Sequence, residues 1–304
     1  MDAVDAVARP EAAAAAPATS KLEDYLALAK PRVVFLIGVT VAVGFCLGSG
    51  PVVAVPQLLL TIAGTMLAGA GSLALNQLLE RDQDARMQRT RDRPLPGGRL
   101  QAREALGFGV ALVAAGLGLL TVAVDPVAGL LTALTVALYL FVYTPLKRVS
   151  TVSTLLGAIP GALPPVTGWV AASGQLGAGA LSLFGLLFFW QIPHSLAIAR
   201  LYRDEYRAAG FRLLPVVDED GPSTGRQALL HAIATLAAGM LPALVGIAGP
   251  VYAGVNLVLG LGLVVLSAQF AWRPAEVTAR RLFVGSLVHM PVILAALFFD
   301  RVPL

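Results

Sequence analysis

AVPQLLLTIAGTMLAGAGSLAL, residues 54–75, runs directly into NQLLERDQD, residues 76–84. The first piece is almost wholly apolar and, as a helix, long enough to cross a hydrocarbon layer roughly 30 Å thick. The second places Asn76, Glu80 and Asp84 at intervals of four. On a continuing helix these three share one face, with their Cα atoms spread over about 12 Å along the axis. An apolar span that ends in a periodic polar face predicts an intramembrane helix with chemistry at one end.

Eight further apolar blocks flank this one, at 33–50, 105–123, 127–144, 152–172, 178–199, 228–247, 250–270 and 282–299. Composition agrees. Hydrophobic residues make up 57% of the 304 and charged residues 13%, where an average soluble domain has roughly 25% charged. Gly and Pro within the blocks, as in GAIPGALPPVTG at 157–168, are tolerated where neighbouring membrane helices pack closely and re-satisfy freed backbone groups. Strands of a membrane barrel would be shorter and would alternate apolar with polar. The expected fold is therefore all-α, a polytopic transmembrane bundle of nine spans. Residues 1–22, MDAVDAVARPEAAAAAPATSKL, are expected to form a disordered tail before a single domain over 23–304. The tail lacks the basic start and apolar stretch of a signal peptide, and Asp2, Asp5 and Glu11 disfavour a transit peptide. The one cysteine, Cys46, lies within the first span and excludes an internal disulfide.

With nine alternating spans, Arg9, Lys21, Lys30, Arg32, the seven arginines between 81 and 103, Lys147, Arg148, Arg200, Arg203, Arg207, Arg212, Arg226, Arg273, Arg280 and Arg281 fall on one side. Only Arg301 falls on the other. The positive-inside rule makes the first side cytoplasmic, with the N-terminus and the long loops. Topology thus accounts for the net charge of +4, and no nucleic-acid-binding module is legible.

The Asn76/Glu80/Asp84 face offers oxygen ligands with no His or Cys nearby, which points to Mg²⁺. Its length suits two hard cations, or one with waters, better than a single compact ion. Arg89, Arg91 and Arg93 follow at once and suit phosphate oxygens. Asp82, off that face, is expected to pair with neighbouring arginines. A second constellation closes the sixth span, FFWQIPHSLAIARLYRDEY at 188–206. His194 beside Gln191 is a functional candidate, since a polar group in lipid is costly; His231 and His289 read as packing residues. Trp190 and Tyr202 also suit an interfacial aromatic belt. The echo of the first constellation four spans later predicts two related four-helix halves plus a ninth helix.

Asn76–Asp84 together with MxRTxxRPL (87–95) resembles the first signature of the UbiA superfamily of intramembrane prenyltransferases. NQxxE (76–80), YTPLKR (143–148), PPVTGW (164–169), WQxPH (190–194) and YRDEYRAAG (202–210) resemble, more narrowly, its haem-farnesylating branch. The likeness extends from about Leu26 to Asp300. It implies a bundle around a central cavity opening near the cytoplasmic side of the inner membrane. It also implies a reaction, in which farnesyl diphosphate, haem B and water give haem O and diphosphate, and a haem A synthase as a possible partner. By the same resemblance Asn76, Glu80 and Asp84, with Asp204 or Glu205 opposite, would hold Mg²⁺. Arg89, Arg93, Lys147 and Arg148 would share the diphosphate charge, Tyr143 would face the allylic cation, and His194 would ligate or orient the haem, with Gln191 and Tyr202 also at the substrates. The sequence departs from the family pattern at Ser195, in the order Asp204-Glu205, at Arg212-Leu-Leu-Pro215 and at His289-Met290. Rival readings are prenylation of another aromatic or tetrapyrrole acceptor, a haem-binding scaffold, and a secondary transporter. Transporters place their ionisable groups near the bilayer midplane, whereas here the acids sit at span ends.

Overall fold

A computed structural model describes residues 20–303. Among them nine helices are long and apolar enough to cross a bilayer. They are α1 (Pro31–Gly48), α2 (Val55–Leu79), α3 (Ala102–Ala123), α4 (Pro126–Leu146), α5 (Ser153–Ser173), α6 (Ala178–Leu201), α7 (Pro222–Leu244), α8 (Pro250–Trp272) and α9 (Glu276–Phe299). The described residues contain no strand, only an isolated antiparallel bridge between Ala248 and Arg301. The expected tail lies outside the described residues as far as 19. Its last three residues are not tail: Ser20 caps a short helix, Lys21–Ala29, accepting from the Glu23 amide at 3.2 Å while Glu23 accepts from the Ser20 amide at 2.8 Å. This reciprocal capping box satisfies two amides that a helix start otherwise leaves open.

Packing repeats with a period of four helices. α1 lies along α2, α2 along α3 and α3 along α4, and the same succession runs from α5 to α8. The α4–α5 contact corresponds to α8–α9, and α2–α5 to α6–α9. α1 and α5 meet backbone to backbone at glycines. A Cβ on Gly44 would lie 2.0 Å from the Pro165 carbonyl oxygen, and one on Gly168 2.1 Å from that of Val41. Small residues at such contacts let membrane helices approach where lipid supplies no hydrophobic drive. At the end away from the long loops, Asp300 accepts from the Tyr252 amide at 2.7 Å and Arg301 donates to the Cys46 carbonyl at 2.7 Å. The C-terminal residues thereby brace the ends of α1 and α8.

The helices enclose a cavity of about 980 Å³, walled by residues of α1, α2, α4, α5, α6 and α9. Its wall is mostly apolar, with Thr40, Thr65, Thr132 and Thr135 as scattered hydroxyls. These four donate to carbonyls of their own helices, at 2.8–3.0 Å. Phe35, Leu36 and Leu287 line the cavity and are also exposed on the outer surface, so it opens sideways between α1 and α9.

Candidate active site

α2 stops at Leu79, and Glu80 leaves helical geometry at φ −104° before a short helix, Arg81–Asp84. The face survives the break. Glu80 N–H donates to the Asn76 carbonyl at 3.0 Å and Asp84 N–H to the Glu80 carbonyl at 2.8 Å, so the i, i+4 spacing holds. All three side chains are buried. Each has a partner from elsewhere in the chain. Asn76 donates to the Thr144 hydroxyl at 2.9 Å, which itself donates to the Tyr139 carbonyl at 2.8 Å. Glu80 forms an ion pair with Lys147, and Asp84 one with Arg93 at 2.7 Å. Thr90 closes the intervening loop by donating to the Asp84 carbonyl at 2.8 Å.

Lys147 lies mostly covered beneath two rings, its ammonium 4.8 Å from the Tyr143 centroid and 5.4 Å from that of Phe211. Tyr143 belongs to a π-helical stretch of α4, Leu138–Tyr143. Such widened turns are frequent at functional sites, and this one brings Tyr139 and Tyr143 together, stacked at 5.7 Å. Gly157 of α5 makes the room, since a Cβ there would lie 2.4 Å from the Tyr143 ring. Tyr139, Tyr143 and Tyr206 line the cavity. Ser72, one turn before Asn76 on α2, lines it as well. The acidic and basic groups therefore form a polar cluster capping one end of the apolar cavity behind a screen of tyrosines.

Lys30 joins this cluster, although the sequence reading took it only for a topology charge. It stands between the short helix and α1 in the left-handed region, at φ 50°. Burial first, and then Arg93, draw its ammonium down to about 8, against the opposing pull of Asp84 and Glu80. The αL turn that could have flagged it is normally written with Gly or Asn, so residue type gave no signal.

Other expected residues fall elsewhere. Asp204 is mostly exposed and pairs with Arg203 and Arg207 at 3.5 and 3.4 Å. Glu205 accepts from the Arg89 amide at 3.0 Å. Both border a separate polar cleft with Arg200, Tyr202 and Glu276. The described residues gather no group of three or more His, Cys, Asp or Glu side chains able to hold a metal; Asp204 turns to its own arginines, while Glu205 reaches the loop that follows Asp84. Arg89 lies on the seam between the loops, 5.0 Å over the Tyr202 ring and 3.4 Å from the Tyr206 hydroxyl. Arg148 caps the end of α2, donating to the Leu79 carbonyl at 2.8 Å and to Gln83 at 2.9 Å. Asp82 pairs with Arg81 at 3.4 Å, as expected. Gln191 does line the cavity, its amide donating to the Ala158 and Leu187 carbonyls at 2.8 and 3.0 Å. His194 is not on the cavity wall. Its Nδ1 lies 2.8 Å from the Ser286 hydroxyl of α9, and its ring is held between Trp190 and Phe283. Trp190, offered above as a belt residue, does line the cavity.

Nine spans, a sideways opening and a charged cluster over an apolar cavity define a class: an integral membrane protein built to receive apolar molecules with an anionic end. The chain belongs to the UbiA prenyltransferase family, whose model matches residues 37–292. It is 41% identical over 289 residues to protoheme IX farnesyltransferase of Solibacter usitatus, covering 92% of this chain and 99% of that protein. The protein of the same description from Anaeromyxobacter dehalogenans is 40% identical over 295 residues, covering 97% of this chain and 99% of the other. Among solved structures, a digeranylgeranylglyceryl phosphate synthase superposes with a TM-score of 0.78 at 17% identity, over 92% of this chain and 98% of that one. A UbiA homolog from Archaeoglobus fulgidus, bound to GPP and Mg²⁺, gives a TM-score of 0.63 at 18% identity, over 91% and 99%. These two likenesses establish a shared fold.

Proposed function

We propose that this protein transfers the farnesyl group of farnesyl diphosphate to a vinyl group of haem B, with addition of water, giving haem O and diphosphate. The carrying observation is the buried Asn76/Glu80/Asp84 face, charge-balanced by Lys147 and Arg93, at the end of a mostly apolar cavity. The names of the curated relatives support haem as acceptor.

The donor set fits Mg²⁺. It is all oxygen and buried, and two carboxylates with an amide match an ion that takes few protein ligands and completes its shell with phosphate and water. Asn76, Glu80 and Asp84 would hold it, and Glu205, tied to the Arg89 amide, is the nearer of the second acidic pair to that loop. The ion in place supplies neutralisation of the departing diphosphate. Lys147 and Arg93, paired with Glu80 and Asp84, stand where they would share the negative charge of the diphosphate. Lys30 adds a third positive charge. Fixed charges aimed where negative charge grows usually give the largest catalytic effect. Tyr143 and Tyr139 present ring faces below this layer, where an allylic cation is stabilised by the π-system. The apolar wall excludes water from the cation until the vinyl group has reacted. We place the chain in the cytoplasmic membrane with the cluster on the cytoplasmic side, on the distribution of its basic residues.

Purified protein incubated with haem B, farnesyl diphosphate and Mg²⁺ tests the reading by chromatography and mass spectrometry of the haem. A hydroxyethylfarnesyl haem, lost on chelation and in Asp84→Asn, is the expected result. Well-folded protein that yields no haem product, but prenylates an aromatic acid, would replace the acceptor while retaining the chemistry.

A further inference from the structure

Trp190 and His194 lie one turn apart on α6, and only Trp190 lines the cavity. The imidazole stacks on the indole, centroids 5.0 Å apart and planes 20° from parallel. Phe283 of α9 lies against the imidazole as well, centroids 5.2 Å apart and planes tilted by 38°. Ser286, also on α9, fastens both rings. Its carbonyl accepts from the Trp190 Nε1–H at 3.2 Å, and its hydroxyl lies 2.8 Å from His194 Nδ1. That hydroxyl donates its one proton to the Phe283 carbonyl at 2.6 Å. With its proton on that carbonyl it accepts from His194 Nδ1–H; with the rotor turned it donates to an unprotonated Nδ1, and in either arrangement the imidazole is tied to α9. His194 thus has one nitrogen engaged with α9, two aromatic neighbours against its ring, and no place on the cavity wall.

We infer that His194 is a positioning residue, which holds the Trp190 indole flat against the cavity as the aromatic wall on which a planar acceptor packs, and is not itself a ligand of the acceptor. This rests on the function proposed above and names how that site recognises its acceptor. An aromatic pair contributes about 0.5–1.5 kcal/mol beyond the area it buries. Losing the imidazole therefore raises the KM for haem about two- to thirteenfold, that energy expressed as a ratio. The KM for farnesyl diphosphate and kcat change little, because the charged cluster does not touch this pair.

The test compares His194→Ala, His194→Phe and Trp190→Leu in the full-length protein. His194→Phe retains a ring between Trp190 and Phe283, and Ser286 still donates to the Phe283 carbonyl. It is expected to restore the haem KM that His194→Ala raises, and Trp190→Leu to raise it at least as far. Ferric haem titrated into each variant is read by absorption and electron paramagnetic resonance, without turnover. Spectra that are the same in wild type and His194→Ala fit positioning. Loss of a histidine-ligated signal in both His194 variants, or failure of His194→Phe to restore the KM, overturns it. Tight haem binding with no farnesyl transfer in wild type would refute the proposed function yet leave the titration able to decide the role of His194.

Discussion

Lys30 holds the one positive φ of a non-glycine residue among those described, and its ammonium is drawn down to about 8 by burial ahead of the neighbouring Arg93. Below that pH it is charged and available to a diphosphate; above it the charge is lost. The KM for farnesyl diphosphate is therefore expected to climb as pH rises through about 8. Lys30→Arg stays charged throughout and should flatten that limb, so initial rates of both proteins across the range decide the matter. Stability moves the opposite way. The unfolded chain, with an ordinary lysine at 10.5, holds this proton more tightly than the folded one, so Lys30 favours folding increasingly from about 8 up to 10.5. The Glu80–Lys147 pair gives a second test. Removing one member of a buried pair strands the other charge and costs about 3 kcal/mol or more. Lys147→Met alone should lower the melting temperature, and Lys147→Met with Glu80→Gln should recover it without recovering turnover. Full activity in the double variant would remove both groups from the reaction. The Asn76/Glu80/Asp84 face was legible because periodicity is local. Its partners were not, since Lys147, Arg93 and Lys30 arrive through tertiary packing, and the same packing carries Asp204 away to its own arginines.

Helices in this bundle are positioned by where a side chain is missing. Gly44 and Gly168 let the backbones of α1 and α5 touch, and neither neighbouring carbonyl can move aside as a side chain could. Gly44→Ala is expected to force the two helices apart and lower the thermal midpoint in detergent sharply. Gly107 on α3 has nothing within 4 Å of a would-be Cβ. Gly107→Ala should therefore leave the midpoint level or raise it, helix propensity favouring alanine by up to about 1 kcal/mol. Equal midpoints in the two variants would show that the α1–α5 approach carries no stability. The same elements mark what hydropathy reads. All nine spans were found, yet α7 begins at Pro222 where 228 was expected, and α9 at Glu276 where 282 was expected. Arg226, Glu276, Arg280 and Arg281 lie in those missed turns. The apolar pattern ends where the hydrocarbon ends, while the helix continues into the polar layer. The π-helical stretch of α4 had no signal either, because Tyr143 takes its place only against Gly157 of a different helix.

Taken whole, the molecule is asymmetric along the bundle axis. The loops at one end carry the acidic face, Lys30, Lys147 and nearly all the arginines, while at the other Arg301 is spent on the Cys46 carbonyl. Basic loops are retained on the cytoplasmic side during insertion, so the charged cluster should face the cytoplasm while the opening between α1 and α9 faces lipid. Under the proposed function the water-soluble diphosphate head would stay in the polar layer while the lipid-soluble chain enters the cavity from the side. Single cysteines test the orientation. With Cys46, buried in α1, replaced by Ser, Asp92→Cys places a thiol in the arginine-rich loop and Gln175→Cys one between α5 and α6, both at exposed positions. An impermeant maleimide added to intact spheroplasts is expected to label Gln175→Cys alone, and to reach Asp92→Cys only after permeabilisation. The reverse pattern would put the Asp84 cluster on the outer face and overturn the assignment of sides. Labelling of both positions before permeabilisation would mean that the two loops share a side, which nine crossings of the bilayer do not permit.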